Sequence, residues 1–149
     1  MNIKIKAISK KIGNEIPLPS YSTSGSAAVD LRACINEPVT IKAGEHKIID
    51  TGIAISIPEG YVALMFSRSG LAVKSGIALR NSVGVIDSDY RGELHVGLVN
   101  NSKTDYIINE GDRIAQLAIM PVVQVCFQVV DELDETDRGT GGYGSTGKS

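Results

Sequence analysis

The stretch GVIDSDYRGE, from Gly84 to Glu93, sets Asp87, Ser88, Asp89, a tyrosine and an arginine between two apolar runs. Asn81 lies just upstream of it and Tyr90 is separated from Asp87 by two residues. A carboxylate beside a flat aromatic ring and an amide can hold a nucleobase or sugar and activate a water next to it. The same residues also suit a solvated turn, because Asp and Ser bond their own backbone. The flanking runs, IALRNSV and LHVGLV, alternate apolar with small or polar residues and read as strands. Together they predict a hairpin whose tip carries the polar residues.

Three other stretches bear weighing as parts of a site, the first of them suited to an anion. SRSGLA, from Ser67 to Ala72, places Arg68, Ser69 and Gly70 at a turn entering a short helix; a guanidinium at a helix start suits an anion, and a plain helix cap is the ordinary alternative. Asp30 falls inside the apolar strand-like AAVDLRA, where a carboxylate is costly unless it is paired or near a metal. Gln116 sits among apolar neighbours in GDRIAQL, a pattern that by itself is mostly structural.

The C-terminal stretch, RGTGGYGSTGKS, has two motif matches that mislead. GTGGYG fits the dinucleotide-binding pattern and GYGSTGKS fits the P-loop pattern. Each needs a strand before it and a helix after it to aim amides at phosphate, and here an acidic DELDETD run precedes. Bare glycine amides with Arg138 can still close over a polyphosphate, and Tyr143 can stack on a base. A solubilising tail is the bland reading.

The elements that must position these groups are short strands. The 149 residues suit one compact domain, with 42% hydrophobic and 21% charged residues in the ordinary globular range. A net charge of −2 gives no electrostatic reason to expect a nucleic-acid or membrane partner. No signal peptide or apolar run long enough for a membrane helix is seen, so a cytoplasmic location is expected. Cys34 and Cys126 are far apart in apparent strands and read as buried thiols. His46 and His95 look isolated, which argues against zinc.

Ile3–Ile8 alternates as a half-wet strand. The segment from Ile35 to Phe66 reads as strand, turn, strand, turn, strand, with punctuation at Glu37-Pro38, Ala43-Gly44 and Pro58-Glu59-Gly60. Asp105–Ile108, Arg113–Ile119 and Val122–Val130 repeat the pattern, and Ser69–Lys74 is the one helix candidate. The expectation is an all-β, jelly-roll-like barrel or sandwich over residues 1–130. Residues 131–149 are expected to form a mobile glycine-rich arm, since they hold too few apolar groups to offset chain entropy.

Taken in order, these segments resemble the trimeric dUTP diphosphatases. The five motifs of that family are matched by AAVDL around Asp30, RSGLA from Arg68, NSVGVIDSDYRG from Asn81, GDRIAQL, and RGTGGYGSTG from Arg138. The likeness runs from about Ser24 to Gly147. Tyr143 stands where the family usually has phenylalanine, which keeps a stacking ring, and Ala28 replaces a common glycine.

The resemblance implies a jelly-roll-like homotrimer with sites shared between subunits, hydrolysing dUTP to dUMP and pyrophosphate with Mg²⁺. Carried over by motif, Asp87 is the base for the attacking water, and Tyr90 lies under the deoxyribose and excludes a 2′-hydroxyl. Asn81, with the backbone of Gly84, Val85 and Ile86, reads uracil. Arg68, Ser69, Gly70 and Gln116 bind the phosphates, and Asp30 holds the metal through water. Arg138, Gly144, Ser145 and Thr146 close over the γ-phosphate while Tyr143 stacks on uracil. A dCTP deaminase of the same fold, or a non-catalytic trimeric binding module, are the rival readings; RSGLA and VIDSDY argue against the first, and intact Asp87, Tyr90 and Arg138 against the second.

Overall fold

The computed structural model describes residues 1–142. Within them the chain forms strands β1 (Lys4–Ala7), β2 (Val29–Arg32), β3 (Val39–Ile41), β4 (His46–Asp50), β5 (Ile53–Ser56) and β6 (Tyr61–Phe66). Helix α1 (Ser69–Ser75) follows, then β7 (Ile77–Leu79), β8 (Val83–Ile86), β9 (His95–Asn100), β10 (Tyr106–Ile108) and β11 (Arg113–Pro121). The all-β, jelly-roll-like expectation holds. No helix among the described residues is long and apolar enough to cross a membrane.

The strands form a four-stranded sheet in the order β2-β11-β6-β8, a three-stranded sheet β4-β9-β7, and the pairs β1-β5 and β10-β3. All of these pairings are antiparallel. Alternation sorts the side chains, since successive residues of a strand face opposite ways. In β6, Ala63 and Met65 are buried while Leu64 and Phe66 are half-buried, and in β9 Val96, Leu98 and Asn100 are buried. These join Leu31, Ile41, Ile49 and Ile114 in one core. Asn100 is satisfied there: its Nδ2 donates to the carbonyls of Ile41 and Thr104, and its Oδ1 accepts from the Ser102 amide and hydroxyl.

Several expectations are corrected. The runs flanking Gly84–Glu93 do pair, but through β7: Ile77–Leu79 of the first run bonds antiparallel to β9 of the second, whereas β8, between them, bonds to β6 in the other sheet. The connection between the paired strands β7 and β9 is therefore no tight tip: it makes an excursion into the other sheet as β8 and returns through residues 87–94. The strand read through residues 46–56 breaks at Thr51-Gly52, where Gly52 takes φ 70° and a Cβ would come within 2.7 Å of Cys34 Sγ. β4 and β5 consequently serve different sheets.

Val122–Val130 is not a strand in the chain. The Val122 amide donates to the Gly60 carbonyl, and the segment beyond runs exposed, with Phe127 95% and Val129 97% accessible. Alternation alone cannot make a strand when no ladder partner is within reach. For the same reason Cys126 is exposed rather than buried, and Cys34 is half-buried just past β2. The near-terminal loop is tied down by Lys11, whose ammonium donates to Glu110 and to the Ile35 carbonyl. The Glu110 hydrogen bond holds that ammonium above the ordinary lysine range, against a smaller desolvation that lowers it.

Candidate active site

Two cavities collect the chemistry-bearing residues. The first, about 250 Å³, is lined by Asn81, Gly84, Val85, Ile86, Asp87 and Tyr90, with Met65, Glu93, Leu94, His95 and Gly97 completing it. Its frame follows from β8. Gly84 is buried against Met65, and a Cβ there would lie 3.1 Å from Met65 Cβ and 3.6 Å from Asn81 Nδ2, so glycine keeps the floor open. Asn81 is delivered by a tight turn after β7: the Val83 amide donates to the Asn81 carbonyl at 2.7 Å, and Ser82 takes φ 63°, uncommon for a residue with a side chain.

Past β8 the chain leaves the sheet at Asp87, which is exposed on the cavity rim. The Tyr90 amide donates to the Asp87 carbonyl, closing a turn that sets the carboxylate and the ring on one cavity. The Tyr90 hydroxyl donates to the Glu93 carbonyl at 2.9 Å, so the ring is fixed at both ends. Gly92 makes that posture possible, because a Cβ on it would sit 2.4 Å from Tyr90 Oη. The arrangement can clasp a small polar ring and present one carboxylate to a water.

The second cavity is lined by Asp30, Arg68, Ser69, Gly70 and Gln116, with Ser22, Ser26, Phe66, Arg113 and others. Here Asp30 is paired. Its Oδ1 accepts from Arg68 Nε at 2.6 Å and its Oδ2 from Arg113 at 3.3 Å. Charge-assisted bonds of this kind hold both arginines in place and answer the cost of a half-buried carboxylate.

The pairing has a local cause. An irregularity between Arg113 and Ala115 shifts the β11–β2 register, and beyond it Gln116 lies opposite Asp30 on one side and Phe66 on the other. Gln116 Nε2 donates to the Ser67 carbonyl at 3.0 Å, while Ser67 Oγ accepts from the Leu79 amide. These bonds fix the end of β6, where the chain turns at Arg68 into α1. The first amides of that helix, from Ser69 and Gly70, lack partners within it.

The two cavities share no lining residue. Met65 lines the first and its neighbour Phe66 lines the second, so they open on opposite faces of the β6 strand. Among the described residues, none of those lining either cavity comes from the tail. Arg138 is exposed and its Nε donates to the Gly141 carbonyl. Tyr143, Gly144, Ser145 and Thr146 lie outside the described residues.

Sequence patterning passes over Met65, Gly92, Glu93, His95 and Arg113. Arg113 stands inside GDRIAQL and was legible there as a second cation near Gln116. His95, expected to be isolated, has a partner: its Nδ1 lies 2.9 Å from Asp50 Oδ1, a contact that only the β4–β9 register creates.

The family model described as dUTPase matches residues 14–147. The chain is 53% identical over 144 residues to the deoxyuridine 5′-triphosphate nucleotidohydrolase of Hahella chejuensis, covering 96% of this chain and 95% of that one. It is 51% identical over 148 residues to the enzyme of the same name from Idiomarina loihiensis, covering 99% and 98%. Among solved structures it is similar to a mutant dUTPase of Staphylococcus bacteriophage 80alpha with dUpNHpp, at a TM-score of 0.87 and 28% identity over 99% of each chain. A mutant dUTPase from phage phi11 of S. aureus, described with a structural Mg(II) ion, matches at a TM-score of 0.80 and 28% identity over 91% of this chain and all of that one.

Proposed function

The chain belongs to the dUTPase family and hydrolyses dUTP, and from that premise we propose how its two cavities divide the work. The observation that carries the proposal is the single cavity joining Asn81, the Gly84–Ile86 backbone, Asp87 and Tyr90. Uracil lies against Asn81 and the β8 backbone, a narrow edge-on fit that leaves no room for the methyl group of thymine and mismatches the donors of cytosine. The deoxyribose lies on Tyr90, whose ring is held by the Glu93 carbonyl, so a 2′-hydroxyl meets a wall that does not yield. Asp87, exposed beside this pocket, orients a water towards the α-phosphorus and accepts its proton as the new P–O bond forms. Pyrophosphate leaves and dUMP remains.

The phosphate chain takes the other cavity's groups: Arg68, the Ser69 and Gly70 amides, and Gln116. In-line displacement at phosphorus depends on such positioning and charge stabilisation more than on covalent help. The donors fit a divalent cation held at one remove, because both oxygens of Asp30 are already engaged by Arg68 and Arg113. Asp30 would therefore hold Mg²⁺ through water. When bound, that ion neutralises charge on the triphosphate that this mildly acidic chain does not itself cancel. From the glycine-rich stretch that follows the β domain of residues 1–130, Arg138 and Gly144–Thr146 are assigned to the γ-phosphate and Tyr143 to stacking on uracil.

A homotrimer completes the site. The two cavities open on opposite faces of β6, so one triphosphate cannot span them within a chain, whereas neighbouring copies can offer one cavity each. The exposed Val123, Val125, Phe127 and Val129 of one copy supply apolar surface for another to cover. We assign the enzyme to the cytoplasm, where nucleotide pools turn over.

The test is turnover with Mg²⁺ of dUTP, UTP, dTTP and dCTP in parallel, with every product identified. dUMP and pyrophosphate from dUTP alone is the expected result. Equal turnover of UTP would overturn the role of Tyr90, and ammonia from dCTP would point to deamination.

A further inference from the structure

The side chains of Asp50, Glu93 and His95 take no part in the reaction as assigned above. Asp50 ends β4 and His95 begins β9, and the two are directly opposed in the antiparallel register. Cross-strand partners project on the same face, and here the imidazole Nδ1 lies 2.9 Å from Asp50 Oδ1. Glu93 reaches the same place from the preceding loop, its Oε1 accepting the Gly52 amide at 2.7 Å, which fixes the carboxylate. One donor atom from each of the three lies within 4.8 Å of the others.

The electrostatics differ from those at Asp30. Two arginines neutralise Asp30, whereas no lysine or arginine among the described residues forms an ion pair with Asp50 or Glu93. Two carboxylates and an imidazole are gathered with no cation between them. Metal–ligand bonds of about 2.0–2.2 Å bring neighbouring donors roughly 3 Å apart, the spacing that the His95–Asp50 pair has. The side chains of His95 and Asp50 are 47% and 58% exposed, so water can fill the remaining positions. An imidazole nitrogen beside carboxylates selects borderline first-row ions over Mg²⁺ and Ca²⁺, which prefer all-oxygen shells.

We propose that Asp50, Glu93 and His95 form a second cation site, for a first-row divalent transition metal such as Co²⁺, Mn²⁺ or Zn²⁺, separate from the phosphate-bound Mg²⁺. The ion ties the end of β4 to the loop whose Glu93 carbonyl anchors Tyr90. It sits on the outer wall of the nucleobase cavity, which Glu93 and His95 help to line. The Gly52 amide acts as the supporting contact that orients a ligand.

The experiment titrates Co²⁺ alone into nucleotide-free full-length protein, followed by calorimetry, with and without excess Mg²⁺. One saturable Co²⁺ per chain that survives Mg²⁺ is expected. His95→Ala should weaken it at least about tenfold, and Asp50→Asn by a similar factor, with melting temperatures unchanged because both side chains are exposed. Asp50 lies outside the nucleobase cavity, so Asp50→Asn should also hydrolyse dUTP at the parental rate with Mg²⁺. Absence of saturable binding would overturn the proposal and leave a hydrogen-bonded His–Asp pair. So would displacement by Mg²⁺, or an affinity that His95→Ala and Asp50→Asn leave unchanged.

Discussion

Within one chain the Asn81–Tyr90 cavity and the Arg68 cleft are shaped by different means, the first by backbone turns and glycines and the second by charged side chains bonded to one another. Around Asn81, Asp87 and Tyr90 the turn at Ser82 and the glycine floor at Gly84 set the backbone, and the Tyr90–Glu93 bond holds the ring. Around Arg68 the guanidinium is occupied by Asp30, the first amides of α1 face outward, and no described tail residue lines the cleft. The difference bears on the proposed division of labour, in which sugar and attacking water are placed by the fold of one chain while the phosphates are held together with another copy and the arm.

That contrast can be broken at its strongest point first. Asp87→Asn keeps the cavity shape and removes the proton acceptor. dUTP binding should persist while kcat falls by about 10²–10⁴-fold, measured as steady-state turnover beside equilibrium binding. Parental turnover would remove Asp87 from the chemistry.

A stop after Asp137 removes Arg138 and the glycine-rich arm yet leaves every residue of the core in place. Turnover should drop on the order of 10²-fold with the melting temperature unchanged, since the arm acts by holding the phosphates rather than by folding the domain. Full activity would detach the arm from the site.

The smallest effect belongs to Gly92→Ala, which sharpens the claim for the nucleobase side. A Cβ at 2.4 Å from Tyr90 Oη must displace the ring. Such overpacking costs about 1–3 kcal/mol. A roughly tenfold rise in KM for dUTP and a narrower preference over UTP should follow in competition assays. An unchanged dUTP:UTP ratio would mean that Tyr90 does not set the sugar preference.

Much of both cavities was legible because residue type carried the signal. Asp87 and Tyr90 are close in sequence, so one turn suffices to bring them together, and Gly84, Ile86 and Asn81 lie within a few residues. Pairing partners were legible only in part: the two runs flanking Gly84–Glu93 do meet, as β7 and β9, but the strand between them goes elsewhere. β8 and β9 have the same alternation as two arms of a hairpin, yet β8 bonds to β6 nearly twenty residues back, a choice made by the core and not by the intervening turn. Asp50 and His95 are 45 residues apart and meet only through strand register. Val122–Val130 shows the converse. Its alternation is strong, yet the described residues offer it no ladder partner, so the pattern predicted a strand that is not formed.

The most direct test of shared assembly uses two inactive proteins. Asp87→Asn disables the nucleobase side and Arg68→Ala disables the phosphate side. Each would be purified alone, then unfolded together, refolded and assayed with dUTP. If the site joins cavities from different copies, random assortment restores about a quarter of parental turnover, because some sites receive an intact Asp87 from one chain and an intact Arg68 from its neighbour. If both cavities of one chain serve the same substrate, the mixture stays as inactive as its parents, and the division of labour between copies is wrong.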